Sequence, residues 1–520
     1  MLTRLRVTGF KSLVDVDVRL GPFTCIAGAN GSGKSNLFDA ILFLSALADK
    51  TLAEAASGVR TGQEPTADPR GIFHRSGGAT SPRIRIEAEM ILPKVGRDDL
   101  GERVEAKSAL VRYVVELGLR ADTTERNEAG PIELVEESLI ALPVGDHRDH
   151  LPFPHSVAWR KSVLSGTKKR EFISMSADSP QRLVQLHQDG RSGRKFQRPV
   201  TAMPRTILST VQAEYPTALL VRRELQSWRL LQLESRALRR PDSFDAPVRL
   251  GPDGSHLPST LHHLARHGVP GVPADAGEAA VYARVANRLA RLIDDVQEVS
   301  VARNEARRSY TLHVQTRDGT LHPADALSDG TLRFLALAVT DLDPDDRGLL
   351  CFEEPENGIH PRRISAMLQL LQDIAVDTEI AVDGDNPLRQ VLINTHSPTL
   401  VQQVPDDALL VAEWVEGVRL LESSSSTSDA SGNPVHPSGE SGFRDSADLV
   451  IRGEVRYRQT VFGCLGGTWR AEEGSGARVV TRGDLMGFLL PAQMEPDSKP
   501  PIRRVMDREE LQLLLPRLDG

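Results

Sequence analysis

The chain of 520 residues has room for roughly three or four units of domain size. Its 40% hydrophobic and 26% charged content excludes a largely disordered chain, and no apolar run reaches the ~18 residues of a membrane span. A formal charge of −8 leaves any nucleic-acid contact to a local basic patch. Three cysteines (Cys25, Cys351, Cys464) cannot build a disulfide framework, so a reduced, cytoplasmic chain without a membrane partner is expected.

The first elements in chain order are strands. Leu5 and Val7 alternate with charged neighbours, and Val14, Val16, Val18 and Leu20 alternate with Asp15, Asp17 and Arg19. That period of two marks strands buried on one face. Phe23 to Ala27 is apolar throughout, as a strand covered on both sides would be. It runs into Gly28-Ala29-Asn30-Gly31-Ser32-Gly33-Lys34-Ser35-Asn36, and Leu37, Phe38, Ile41, Leu42 and Leu44 then recur at helical spacing.

Strand, glycine loop and helix in that order are the context of a phosphate-binding loop. Its backbone N–H groups turn inward toward phosphate oxygens, and the helix start adds the positive end of its dipole. Lys34 is expected at the β- and γ-phosphates of ATP, and the Ser35 hydroxyl at Mg²⁺.

Residues 93–300 are expected to form an inserted lobe. Gly101, Pro131, Pro143, Pro152, Pro199 and Pro204 break any sustained heptad pattern, which excludes a long coiled-coil rod. Strands are expected over Arg83–Leu92 and Leu110–Leu119, helices over Thr217–Arg240 and Glu278–Asp294, and strands again at Val299–Val301 and Tyr310–Val314. Between Val157 and Arg205 eleven basic residues face three acids. Lys168, Lys169, Arg170, Arg191, Arg194 and Lys195 form its centre and are candidates for contact with DNA phosphates.

Three further motifs follow. Leu327-Ser328-Asp329-Gly330-Thr331 opens an amphipathic helical pattern, a second anion-binding helix start. Leu349 to Phe352 is a short apolar strand ending in Glu353-Glu354, one carboxylate for Mg²⁺ and the next for the attacking water. Val391-Leu392-Ile393 ends in Asn394-Thr395-His396-Ser397-Pro398, which sets a histidine at a strand's carboxyl edge. In parallel α/β sheets ligands lie at those edges.

The set GFKS (Gly9–Ser12), GANGSGKSN (Gly28–Asn36), LSDGTLRFLAL (Leu327–Leu337), EEPENGIHP (Glu353–Pro361) and NTHSP (Asn394–Pro398) resembles the SMC/RecF-like branch of ABC-type ATPases. The nearest likeness is to its short prokaryotic members without a long coiled coil. The resemblance covers 1–92 and 300–420 and implies an α/β P-loop head with an inserted α+β lobe. It implies that Ser328, Asp329 and Gly330 form a signature meeting the γ-phosphate of another subunit, that Glu354 is the catalytic base, and that His396 is the switch histidine. Asn357-Gly358 would touch the opposite protomer. Asp329 and Thr331 stand where many relatives have Gly and Gln, and Glu353 replaces the usual Asp. For the glutamine loop of the family, Gln63 is the candidate.

The head is thus expected in two parts, 1–92 and 301–421, followed by a flexible linker at 422–445 and a C-terminal module at 446–520. That module is expected either to pack back on the head or to dock an effector protein. No paired metal-binding acids follow the histidine motif, so nuclease chemistry is not expected. The functional expectation is a homodimer that closes around ATP and couples hydrolysis to DNA repair or maintenance. The alternatives are an ATPase switch controlling a separate effector in antiphage defence, and a non-hydrolysing nucleotide-gated scaffold.

Overall fold

Alternating burial builds the first sheet. The computed structural model describes the chain except for residues 60–67, 77–78, 121–130, 167, 177–181, 190–195, 201–202, 270–272, 274–276, 292, 294, 422–452, 473–476 and 482–520. Strands β1 (Leu2–Phe10) and β2 (Leu13–Arg19) pair antiparallel with Leu5 opposite Val18 and Val7 opposite Val16. Their apolar side chains point inward, while Arg4 and Arg6 on the other face reach Asp17. β3 (Phe23–Ala27) leaves this sheet for a second one.

The first sheet continues through β4 (Arg83–Ile91), β5 (Leu110–Leu119), β6 (Ile132–Ala141), β7 (Glu171–Met175), β8 (Leu183–Leu186) and β9 (Phe196–Pro199). Its spatial order is β9-β8-β7-β6-β5-β4-β1-β2, antiparallel throughout. The sheet has no break at residue 92, because β4 pairs with both β1 and β5.

The second sheet carries the nucleotide motifs. It is assembled from β3, β10 (Arg229–Leu231), β13 (Gly348–Glu353), β14 (Arg389–Thr395), β15 (Leu409–Leu421), β16 (Gly453–Leu465) and β17 (Arg478–Val480), in the order β10-β13-β14-β3-β15-β16-β17. β10, β13, β14, β3 and β15 run parallel, so their carboxyl ends share one edge. Between β10 and β13 in sequence, β11 (Val296–Asn304) and β12 (Ser309–Thr316) form the hairpin of a smaller third sheet.

Helix α1 (Lys34–Leu47) follows β3 and buries Leu37, Phe38, Ile41, Phe43 and Leu44 completely. Each such side chain contributes roughly 1.5–3 kcal/mol of transfer free energy. Gln390 joins the two sheets: its side-chain amide pairs with the backbone N–H and C=O of Leu2 and also donates to the carbonyl of Gly21.

The helix expected over 217–240 is shorter than its pattern. Helix α2 (Pro216–Ser227) ends before Trp228, then β10 pairs in parallel with β13, and the four-residue helix α3 (Ser235–Leu238) follows. Helices α4 (Leu257–His267) and α5 (Gly277–Ala290) precede the hairpin, and α6 (Asp329–Leu342) and α7 (Ile364–Ile374) flank β13. The strands at 453–465 and 478–480 are the last members of the nucleotide sheet, so this part of the C-terminal stretch is continuous with the head. The rest of that stretch and the linker lie outside the described residues.

Candidate nucleotide site

The loop after β3 has glycines where its neighbours leave no room. A Cβ on Gly28 would lie 2.5 Å from the Ala412 carbonyl oxygen, and one on Gly33 would lie 1.9 Å from the Thr460 hydroxyl. Gly33 also has φ +89°, the left-handed region that glycine enters without strain. β15 and β16 therefore fix the curl of the loop from behind. Ser12, in the turn after β1, bridges the Asn36 amide and the Thr460 hydroxyl at 2.6 and 2.7 Å.

Lys34 folds back on its own loop, donating to the carbonyls of Gly28 at 2.7 Å and Ala29 at 2.8 Å. Burial lowers its pKa, partly opposed by the charges of Glu354 and Glu356. The Ser32 hydroxyl is buried beside it without a hydrogen-bond partner. A buried cation satisfied only by carbonyls and an orphaned hydroxyl suit a site that exchanges these contacts for phosphate oxygens.

A cavity of about 660 Å³ opens at the shared strand edge. The loop from Asn30 to Asn36 forms one wall, Glu353, Glu354 and Asn394 form the other, and Gln232 and Arg333 close its sides. Glu354 turns the chain sharply with φ +44°, and its N–H bonds the Asn394 side chain at 3.1 Å. Its carboxylate is held from both sides, by His396 Nδ1 at 2.7 Å and by the Asn357 amide at 2.8 Å. Glu353 accepts from the Gln232 side chain and lies 3.4 Å from the Asn394 amide.

Glu356 lies beneath this layer, nearly buried, with one oxygen bonded to the Thr395 hydroxyl and the other unpaired. Burial pushes its pKa up. Thr395 in turn accepts from the Ser397 N–H at 2.9 Å, which ties the acidic strand end to the histidine turn.

The Ser35 hydroxyl, exposed at the start of α1, and the Glu353 carboxylate supply hard oxygen donors beside the lysine loop. Together with phosphate oxygens they fit Mg²⁺, which takes few protein ligands. Among the described residues no cluster of three or more His, Cys, Asp or Glu could hold a metal by itself.

The signature residues are not among the walls of this cavity. Ser328 caps α6 by accepting from Thr331 N–H at 3.2 Å and remains exposed. Gly330 packs against the loop after the acidic strand, where a Cβ would lie 3.1 Å from the Gly358 carbonyl. Of the basic patch, Lys168, Lys169 and Arg170 are exposed, while Arg191, Arg194 and Lys195 lie outside the described residues. So does Gln63.

Gln232 and Arg333 reach the site without having been singled out from sequence. Gln232 follows a three-residue strand whose pattern, Arg-Leu-Leu, merges with the preceding helix. Its only signal is the apolar pair Leu230-Leu231 just before a polar residue, as at the ends of the other core strands. Arg333 sits one turn into α6, on the face its apolar spacing leaves open.

Comparison with known proteins gives two separate family matches. Residues 1–57 match the RecF/RecN/SMC N terminal domain, and residues 156–402 match the model described as AAA domain, putative AbiEii toxin, Type IV TA system. The DNA replication and repair protein RecF of Paenarthrobacter aurescens is 41% identical over 64 residues, 12% of this chain and 16% of the relative. The OLD nuclease of Thermus scotoductus is 51% identical over 41 residues, 8% of each chain. The chain thus spans less than a fifth of the length of these curated relatives.

Among solved structures, an SMC head bound to the C-winged helix domain of ScpA aligns with TM-score 0.40 at 14% identity, over 79% of this chain and 94% of that one. The SMC head domain from Thermotoga maritima aligns with TM-score 0.34 at 12% identity, over the same shares. The two family matches fall on the two parts of the divided site: the first contains the lysine loop, Gly28–Asn36, and the second contains Glu353, Glu354 and His396, so the chain is similar to SMC/RecF-like ATPases at both.

Proposed function

We propose that the protein binds ATP with Mg²⁺, dimerises around two nucleotides, and uses hydrolysis to open the dimer during DNA transactions. The observation that carries this reading is the placement of Glu354, held by His396 and Asn357 at the mouth of the P-loop cavity. Lys34 releases its two carbonyls to hold phosphate oxygens. Glu354 accepts a proton from a water aimed at the γ-phosphorus, and His396 keeps that carboxylate oriented. Ser35 and Glu353 would hold Mg²⁺, which would supply positive charge to the phosphate oxygens. Asn394 and Gln232 keep Glu353 aligned before the nucleotide arrives.

Ser328 is exposed, Gly330 packs against the loop after the acidic strand, and neither lines the chain's own P-loop cavity, which suits a contact to the partner's γ-phosphate. The exposed Lys168, Lys169 and Arg170 are the described part of the candidate DNA surface. A second reading, an ATPase switch that controls a separate effector in antiphage defence, is favoured by the toxin–antitoxin wording of the family model over 156–402.

Steady-state hydrolysis with and without DNA tests the proposal. Parental protein is expected to release phosphate, and Lys34→Ala to lose nucleotide binding. Glu354→Gln is expected to bind ATP while hydrolysing at least about a hundredfold more slowly. Parental turnover in Glu354→Gln would refute the catalytic assignment, and absence of DNA stimulation would favour the effector reading.

A further inference from the structure

An acid in a signature turn is an electrostatic problem for any trans contact with a triphosphate. Asp329 is the first residue of α6, next to exposed Ser328, and its own side chain is 47% exposed. An unpaired carboxylate there would repel the γ-phosphate that the turn must approach. The structure holds a counter-charge for it. Arg239, just beyond α3, donates to Asp329 Oδ1 at 2.5 Å and, with the same nitrogen, to the Leu327 carbonyl at 2.9 Å. Its other terminal nitrogen bonds the Ser235 carbonyl at 3.0 Å, which locks the guanidinium across the start of α6. Hydrogen bonds from Ser235 and then Arg239 hold the Asp329 carboxyl below the usual carboxylate range, so it is charged. Arg333, one turn further along α6, lines the subunit's own cavity.

We propose that Arg239 is a positioning residue of the nucleotide-dimer contact: it neutralises Asp329, so that a triphosphate on the partner subunit can meet Ser328. This rests on the dimer reading above. Arg239 touches the turn, not the nucleotide, and its role follows from charge rather than from holding the helix. Removing the arginine alone is therefore harmful, and removing both charges is not.

The experiment measures ATP-dependent dimerisation by sedimentation in a Glu354→Gln background, with ATP binding to the monomer measured separately. Arg239→Ala is expected to weaken dimerisation about tenfold or more, since like charges now face each other, while monomer affinity for ATP is unchanged. The double variant Arg239→Ala/Asp329→Asn is expected to return to within about threefold of the parent. The defect of Arg239→Ala should also shrink in about 0.5 M salt, where charge repulsion is screened. Arg239→Lys, which keeps the charge, guards against a folding defect and should dimerise nearly as the parent does. Parental dimerisation of Arg239→Ala, or a double variant no better than the single one, would overturn the proposal while leaving the dimer reading standing. A monomeric Glu354→Gln parent with ATP would overturn both.

Discussion

At the scale of single residues, the nucleotide loop depends on contacts from strands that come long after it in sequence. Gly33 has a left-handed φ, and the Thr460 hydroxyl occupies the place a side chain would need. Gly33→Ala is expected to cost on the order of 1–3 kcal/mol through strain and overpacking, and to abolish ATP binding. Thermal unfolding and nucleotide titration check the two effects independently. The glycine itself was legible, because the phosphate-loop pattern demands it. Thr460 was not, because the contact spans more than four hundred residues and nothing local marks it. Glu353, Glu354 and His396 were legible as ends of apolar strands, and the structure brings the first two to one cavity with His396 bonded to Glu354. Gln232 was hidden within a stretch of sequence that reads as one continuous helix.

At the scale of elements, that stretch shows why periodicity misled. Leu219, Leu220, Leu225, Leu230, Leu231 and Leu238 keep a helix-like spacing, but tertiary pairing with β13 draws 229–231 into a parallel edge strand. Parallel pairing leaves no local sign, whereas the antiparallel β1–β2 pair announced itself by alternation. A second element-scale feature is Glu137 on β6, wholly buried. It accepts from the N–H groups of Ile207 at 2.7 Å and Leu208 at 2.9 Å and from the Tyr113 hydroxyl at 3.1 Å. Burial nevertheless pushes its pKa up to about 7 from 4.5. The folded state therefore holds this proton more tightly than the unfolded chain. Its contribution to stability is fully present below about pH 4.5 and is lost as pH rises to about 7, on the order of 3 kcal/mol for full burial. Denaturant unfolding from pH 5 to 8 should show this decline in the parent and a flatter profile in Glu137→Gln. Equal slopes in the two proteins would contradict the assignment.

At the scale of the whole molecule, two sheets share the labour. The antiparallel sheet braces the nucleotide sheet through the Gln390–Leu2 clamp and the Ser12–Thr460 contact, and the parallel sheet presents its motifs along one edge. The order of motifs was legible from spacing alone. How the chain between them is shared out was not: β5 to β9 extend the first sheet, while helices α3, α4 and α5 pack beside α6. Ser328, Asp329 and Gly330 do not line the P-loop cavity of their own chain, so a complete site needs a second copy in the proposed mechanism.

The most direct measurement is the molar mass of Glu354→Gln in solution, with and without ATP and Mg²⁺. A monomer without nucleotide and a dimer with it, abolished by Lys34→Ala and by a charged substitution of Ser328, is the expected result. A mass that ATP leaves unchanged, in protein shown to bind the nucleotide, would contradict the central claim.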